Sequence, residues 1–121
     1  MEKLSAIQKR ENLNTVYRGT EKGPGAGYHD YEIVRADTQE ILLTVPFQNG
    51  LMTAPHSRHG VLESDLIEIV RDRPKAFQDG PMATRENEMA LRHLEEALLL
   101  FCMNKRVEDR IERSVLGTMN K

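Results

Sequence analysis

The sequence predicts an α+β fold, with a small antiparallel β-sheet in the N-terminal part followed by a C-terminal antiparallel α-helical hairpin. Residues 28–47 are dominated by β-branched and aromatic residues, with turn residues between two runs, which is typical of paired strands. Residues 63–79 and 84–113 carry apolar residues at helical spacing. Between these helices lies the dipeptide Gly80-Pro81, a turn signal that indicates the bend of a hairpin.

The length and charge of the chain limit its organisation and its partners. With 121 residues we predict a single domain over 1–121, with an arm and β-hairpin region at 1–62 and the helical hairpin at 63–121. The net charge of −2 argues against a protein that coats DNA or RNA polymers, because such binding needs a strong positive field. The lone Cys102 fits a reducing cytoplasm. We expect no signal peptide, and no membrane span because the longest apolar run is short.

The N-terminal elements are predicted in order. Residues 1–18, mostly polar, are expected to form a short helix or an arm. The glycine-rich residues 19–27 favour a flexible connector over a phosphate-binding loop, because no Gly-Lys-Ser/Thr follows. Residues 28–47 are then expected to form a β-hairpin that turns at 36–39, with Pro46 at an edge or a strand end.

Residues 48–62 are predicted to be a loop with two histidines. His56 and His59 lie beside Arg58, and two histidines three residues apart are one alternative for a metal site. No other group of ligands accompanies them, so solvated histidines are the expected state and no metal is predicted.

The first hairpin helix is predicted over 63–79. Ser64 is the expected N-cap residue. Pro74 lacks an amide donor, so it should kink the helix or end it early. The apolar residues near one stripe of this helix are Leu66, Ile69, Val70 and Phe77.

The second hairpin helix is predicted over 84–113, with Thr84 as its cap. Its centre, residues 97–103, is apolar on every side, and such a segment must be buried on every side. Thirty helical residues span about 45 Å, which one partner helix and a small sheet cannot surround. We therefore expect self-association, with coverage by the β-hairpin as the alternative.

The bend of the hairpin carries side chains that suit a nucleotide. Phe77 offers a ring for stacking on a base, Arg85 a cation for phosphate, and Asn87 an amide for polar edges. The alternative is an ordinary surface turn. Farther along, Arg106 and Arg110 fall on one helical face, which is either a phosphate-binding surface or a solvated helix end.

The hairpin sequence resembles one family, the phage-encoded nucleotide sponges that defeat the Thoeris and CBASS immune systems. Upstream, residues 27–50 resemble the β-rich part of the longer, Thoeris-blocking members. The sequence departs from the family pattern at Pro74, Leu100 and Asn104. The residues that carry the match are Phe77-Gln78, Gly80-Pro81, Arg85-Glu86-Asn87 and Ala90-Leu91-x-x-Leu94-Glu95-Glu96-Ala97.

This resemblance implies a function without catalysis. Such proteins bind cyclic nucleotide signals, namely glycocyclic ADP-ribose isomers and in some members cyclic di- or trinucleotides, and withhold them from effectors in the host cytoplasm. They assemble as dimers or hexamers. Phe77 matches the base-stacking aromatic and Asn87 the polar contact, and the arginine pair of the family would fall on Arg106 and Arg110. Phosphates would be met by Arg58, Arg106 or Arg110.

Three functional hypotheses follow from the sequence. The first is a cytosolic sponge for cyclic nucleotides, which needs no cofactor, metal or catalytic residue. The second is a structural or adaptor protein whose apolar segment 97–103 binds another protein. The third, a DNA-binding regulator, is disfavoured by the charge balance and by the long second helix.

Overall fold

The computed structural model describes residues 1–10, 12–23, 27–50 and 55–103. The chain divides into two compact units. The sheet unit comprises Met1–Gly50 and Ala54–Val61, and the hairpin unit comprises Leu51–Thr53 and Leu62–Lys121. These elements confirm the predicted α+β class, with an antiparallel sheet followed by two helices. The single domain over residues 1–121 stays a prediction.

Among its described residues, the sheet unit contains four strands, two more than the sequence predicted. The strands are β1 Glu2–Lys3, β2 Asn14–Arg18, β3 Asp30–Arg35 and β4 Ile41–Pro46, and all neighbours pair antiparallel in this order. The predicted hairpin is present as β3 and β4, and the backbone turns where predicted, with Gln39 in the left-handed region at φ 64°.

The short helix expected as one alternative for residues 1–18 is wrong, because two strands form there. Within β2, Thr15, Val16 and Tyr17 are good strand formers. Their strand preference was not recognised because most of the surrounding segment is polar. Thr15 is buried, and Arg18 binds Glu2 of β1 at 3.1 Å between Nη2 and Oε1. The N-terminal segment therefore extends the sheet.

The core of the sheet unit is small. Val34 and Val45 are its buried apolar side chains among the described residues. Gln48 is also buried, and its amide is satisfied because Nε2 donates to Gly50 O at 3.0 Å and Oε1 accepts from Gly60 N at 3.0 Å. A Cβ at Gly60 would lie 2.3 Å from Pro46 O, so only glycine fits this close backbone approach.

The described part of the hairpin unit contains two helices, α1 Glu63–Gln78 and α2 Arg85–Met103. The predicted N-cap at Ser64 is wrong, because Leu62 occupies that position and its backbone N donates to Asp65 Oδ2 at 2.8 Å. Thr84 caps α2 as predicted, since its Oγ1 accepts from Asn87 N at 3.0 Å. The predicted residues 104–113 of this helix lie outside the described residues.

Pro74 does not end α1 early, because the helix continues to Gln78. A proline inside a helix costs about 3 kcal/mol in the absence of compensation. Here the Pro74 carbonyl accepts a hydrogen bond from Asn87 Nδ2 of α2 at 3.0 Å, so the residue that weakens α1 also ties it to α2.

The side of α1 that bonds to α2 is more polar than the apolar stripe suggested. Arg71 pairs with Glu95 at 3.5 Å, and the other bonds to α2 come from Pro74 and Gln78. These positions recur at helical spacing on one face. Most of the predicted stripe is instead exposed, with exposed fractions of 67% at Ile69, 52% at Val70 and 42% at Phe77.

Replacing Thr84 with Ala should destabilise the hairpin by about 1 kcal/mol, because α2 loses its N-cap hydrogen bond. Thr84→Ser, which keeps the hydroxyl, is the control and should stay near the wild-type stability. Urea denaturation at one protein concentration, followed by far-ultraviolet circular dichroism, measures the difference. Equal stabilities of the two variants would contradict the capping role.

Candidate functional site

The ring of Phe77 lies in the last turn of α1 and is 42% exposed. The guanidinium carbon of Arg73, one turn earlier on the same helix, lies 5.6 Å from the ring centroid. This distance is within the range of a cation–π contact. A flat aromatic surface and a cation thus occur together at the end of the helix.

Gln78 fixes the geometry of the bend. Its Nε2 donates to the carbonyl oxygen of Thr84 at 2.8 Å, and its Oε1 accepts from the backbone N of Thr84 at 3.0 Å. One side-chain amide therefore pairs with both backbone groups of the residue that caps α2. This contact joins Gln78, the last residue of α1, to Thr84, the cap of α2, at the other end of the connection between the helices.

The side chain of Asn87 is held at the same end of the hairpin. Its Nδ2 donates to Pro74 O at 3.0 Å and to Gln78 Oε1 at 3.3 Å. Its backbone N donates to Thr84 Oγ1, so both main chain and side chain are anchored. The residue is half-buried, and its amide is an ordered polar group beside the bend.

Arg73 and Arg85 are cations in this part of the hairpin unit, as is Lys75 in the last turn of α1. Arg85 is the first residue of α2 and is exposed, as is Arg73 on α1. Neither forms an ion pair with any residue that the structure describes. Their charges therefore remain available for an anion such as phosphate.

The structure gives Arg58 partners inside the sheet unit. Its Nη1 donates to Asp30 Oδ1 at 2.8 Å, while Nη2 donates to the carbonyl oxygens of His29 at 3.0 Å and Phe47 at 2.9 Å. The guanidinium thus links β3 to the segment that follows β4. A phosphate contact by Arg58 stays a prediction.

The remaining predicted cations, Arg106 and Arg110, lie outside the described residues. Within the described part of the chain, no set of His, Cys, Asp and Glu side chains is grouped as metal ligands. No helix in that same part has the length and hydrophobicity that a bilayer span requires. Phe77, Arg85 and Asn87 are the predicted site residues that the structure places at the hairpin bend.

Sequence reasoning did not assign roles to Arg73 and Gln78. The i, i+4 spacing of Arg73 and Phe77 on a helix was a signal that could have found the first. Gln78 was part of the matched sequence pattern, but no local rule predicts that a glutamine at a helix end bonds to a backbone six residues later.

The fold includes a helical hairpin whose bend carries an exposed ring, an ordered amide and arginines. Residues 47–108, just over half of the chain, match the family described as "Acb2/Tad1, hairpin domain". The chain belongs to this family of phage anti-defence nucleotide sponges, which sequester cyclic nucleotides. No curated protein matches the chain. The matched range contains α1, α2 and the bend between them.

Replacing Arg58 with Met should destabilise the sheet unit by about 2 kcal/mol, because three hydrogen bonds from one guanidinium are lost. Arg35→Met is the control, since Arg35 pairs only with nearby Asp37 among the described side chains and both are exposed. All three tyrosines lie in the sheet unit, so tyrosine fluorescence during urea denaturation reports on it. Equal losses in the two variants would contradict a special role for Arg58.

Proposed function

We propose that this protein binds cyclic nucleotide immune signals without converting them and thereby blocks antiphage signalling in the cytoplasm of the host cell. The proposed ligands are glycocyclic ADP-ribose isomers and cyclic di- or trinucleotides. Membership of the sponge family supports sequestration of cyclic nucleotides in general. The resemblance of residues 27–50 to the Thoeris-blocking members supports the choice of glycocyclic ADP-ribose as the first ligand to test.

The observation that carries this proposal is the arrangement at the hairpin bend. An exposed Phe77 ring lies one residue from Gln78, which bonds directly to the Asn87 amide. In the proposed complex a base stacks on Phe77 and Asn87 bonds to a polar group of the nucleotide. Arg85 supplies positive charge for phosphate.

Further cations are proposed to complete phosphate binding. Arg73 belongs to this set because its guanidinium lies beside Phe77 and makes no ion pair with the described residues. Arg58, Arg106 and Arg110 stay predicted phosphate contacts. Guanidinium groups suit this task because their parallel donors match phosphate oxygens.

Binding without catalysis is the proposed mode of action. The side chains at the bend act by stacking, hydrogen bonding and charge, and each of these interactions leaves the ligand intact. A sponge must compete with an effector protein, so affinity and abundance determine its effect. The ligand should therefore be recoverable unchanged when the protein is unfolded.

We propose that the protein self-associates into a dimer or hexamer. The apolar end of α2 supports this, since the exposed fractions are 64% at Leu99, 68% at Leu100 and 70% at Met103. Such a cluster of exposed apolar side chains marks an interaction surface in soluble proteins. A second copy of the chain is the proposed partner, because symmetric self-association is the common solution.

A capture-and-release experiment tests the proposed function. Purified protein is mixed with glycocyclic ADP-ribose or cyclic di-AMP, and activation of a matching effector is measured before and after heat denaturation. We expect activation to be lost on mixing and restored by the heated supernatant, with the ligand of unchanged mass. Degraded ligand would show an enzyme, and undiminished activation across the nucleotide panel would contradict sequestration.

Replacing Phe77 with Ala should weaken ligand binding by about 1–3 kcal/mol, the usual value of one base stacked on an aromatic ring. Phe77→Tyr keeps the ring and should bind within a few-fold of wild type. Met82→Ala is a matched control, because Met82 is an exposed apolar side chain in the connection between the helices. Isothermal titration calorimetry measures the three affinities. A Phe77→Ala variant that binds like Met82→Ala would exclude base stacking at this ring.

The adaptor hypothesis retains one supporting observation, the exposed apolar end of α2. On that hypothesis the hairpin binds another protein, and Phe77→Ala changes folding or partner binding only. Calorimetric heats at background for the whole nucleotide panel, with an intact fold by circular dichroism, would favour it over the sponge.

A further inference from the structure

The backbone of Thr84 determines which way the Gln78 side-chain amide points. A backbone N–H only donates and a carbonyl oxygen only accepts. Gln78 must therefore direct Oε1 toward Thr84 N and Nε2 toward Thr84 O, as the distances of 3.0 and 2.8 Å show. Reversing this amide would place two donors together and two acceptors together, so its orientation is fixed by chemistry.

The orientation of Gln78 then determines that of Asn87. Gln78 Oε1 is an acceptor, so the atom of Asn87 that lies 3.3 Å from it must be the donor Nδ2. The carbonyl of Pro74, also an acceptor, lies 3.0 Å from the same nitrogen. Two independent acceptors thus select one orientation of the Asn87 amide.

This arrangement leaves a defined atom for a ligand. The two hydrogens of Asn87 Nδ2 have two acceptors, Gln78 Oε1 and Pro74 O, so no donor remains. Asn87 Oδ1 accepts no hydrogen bond from the described part of the chain. The atom of Asn87 that remains for a ligand is therefore the acceptor Oδ1, and the hydrogen bonds of Nδ2 hold it in place.

We propose that Gln78 is a positioning residue that, with the Pro74 carbonyl, makes Asn87 present Oδ1 to the nucleotide. The ligand group that meets Asn87 is then a hydrogen-bond donor, either the exocyclic amino group of adenine or a ribose hydroxyl. This inference rests on the proposed nucleotide-binding function. It adds a selection rule, because a ligand with only acceptors at that point leaves Oδ1 unpaired and desolvated.

The double-mutant cycle of Gln78→Met and Asn87→Leu tests whether Gln78 acts through Asn87. The probes are glycocyclic ADP-ribose and cyclic di-AMP, measured by calorimetry on the full chain. Gln78→Met should weaken binding about three- to tenfold, because Asn87 Oδ1 is then no longer held in place to accept a hydrogen bond from the ligand. This loss corresponds to the usual contribution of one hydrogen bond. In the Asn87→Leu background the same change should have less than about a twofold effect, because coupled residues are not additive.

Two ligand variants identify the donor. A hypoxanthine counterpart of the tighter probe replaces the amino group with an acceptor, and a 2′-deoxy counterpart removes a hydroxyl. One of them should bind wild type about tenfold more weakly, and that difference should largely disappear in Asn87→Leu. If both bind wild type as tightly as the parent probe, Asn87 Oδ1 does not read a donor and the inference is overturned.

A measurement without ligand keeps the inference testable if a variant folds poorly. In the wild type, both Asn87 side-chain amide hydrogens should exchange slowly with water in NMR spectra, and Gln78→Met should release one of them. Met82→Ala is the control and should leave both protected. Fast exchange of both hydrogens in wild type would contradict the inference that Gln78 and the Pro74 carbonyl hold the Asn87 amide.

The outcomes separate this inference from the proposed function. If the wild-type protein binds neither probe, the proposed function is contradicted, and so is the contact between Asn87 Oδ1 and a nucleotide. Binding by wild type that is equally tight in Gln78→Met contradicts the inference alone. Equal weakening by Gln78→Met in both backgrounds also contradicts it, because that result assigns Gln78 a general structural role.

Discussion

The hydrogen bonds between the Gln78 amide and the backbone of Thr84 set the geometry of the whole hairpin bend. They join the end of α1 to the cap of α2, and the cap in turn holds the backbone of Asn87. The same glutamine oxygen fixes the Asn87 side chain, which also reaches the Pro74 carbonyl. Because α1 and α2 have no fully buried side chain among the described residues, directional polar contacts have unusual weight in their pairing.

Pro74, an unfavourable residue inside a helix, also takes part in this network. Sequence reasoning correctly identified the missing amide donor, but it could not see that the carbonyl of the same residue would accept a bond from the other helix. A local rule describes the cost of proline within one helix. The contact between Asn87 and the Pro74 carbonyl joins residues 13 positions apart, and such a partner becomes visible only in the folded hairpin.

The predictable parts of the fold are those with strong local patterns. The β3–β4 hairpin, both helices of the hairpin unit and the Thr84 cap follow from alternation, helical spacing and capping chemistry. The strands β1 and β2 were missed because one is two residues long and the other lies in a mostly polar segment. At the candidate site, Phe77 and Asn87 were chosen from the sequence and lie at the bend, and their part in binding stays a prediction. The contacts of Gln78 and Arg73 depend on tertiary geometry and on helical neighbours, which sequence patterns did not show.

Capture of an intact cyclic nucleotide by an assembly of this chain is the central claim, and native mass spectrometry of the full chain mixed with a nucleotide panel tests it most directly. The expected spectrum shows a dimer or hexamer that has bound a whole number of molecules of one cyclic nucleotide, each with its unmodified mass. A spectrum in which no member of the panel adds to any oligomer, or in which only cleaved nucleotide is found, would contradict it.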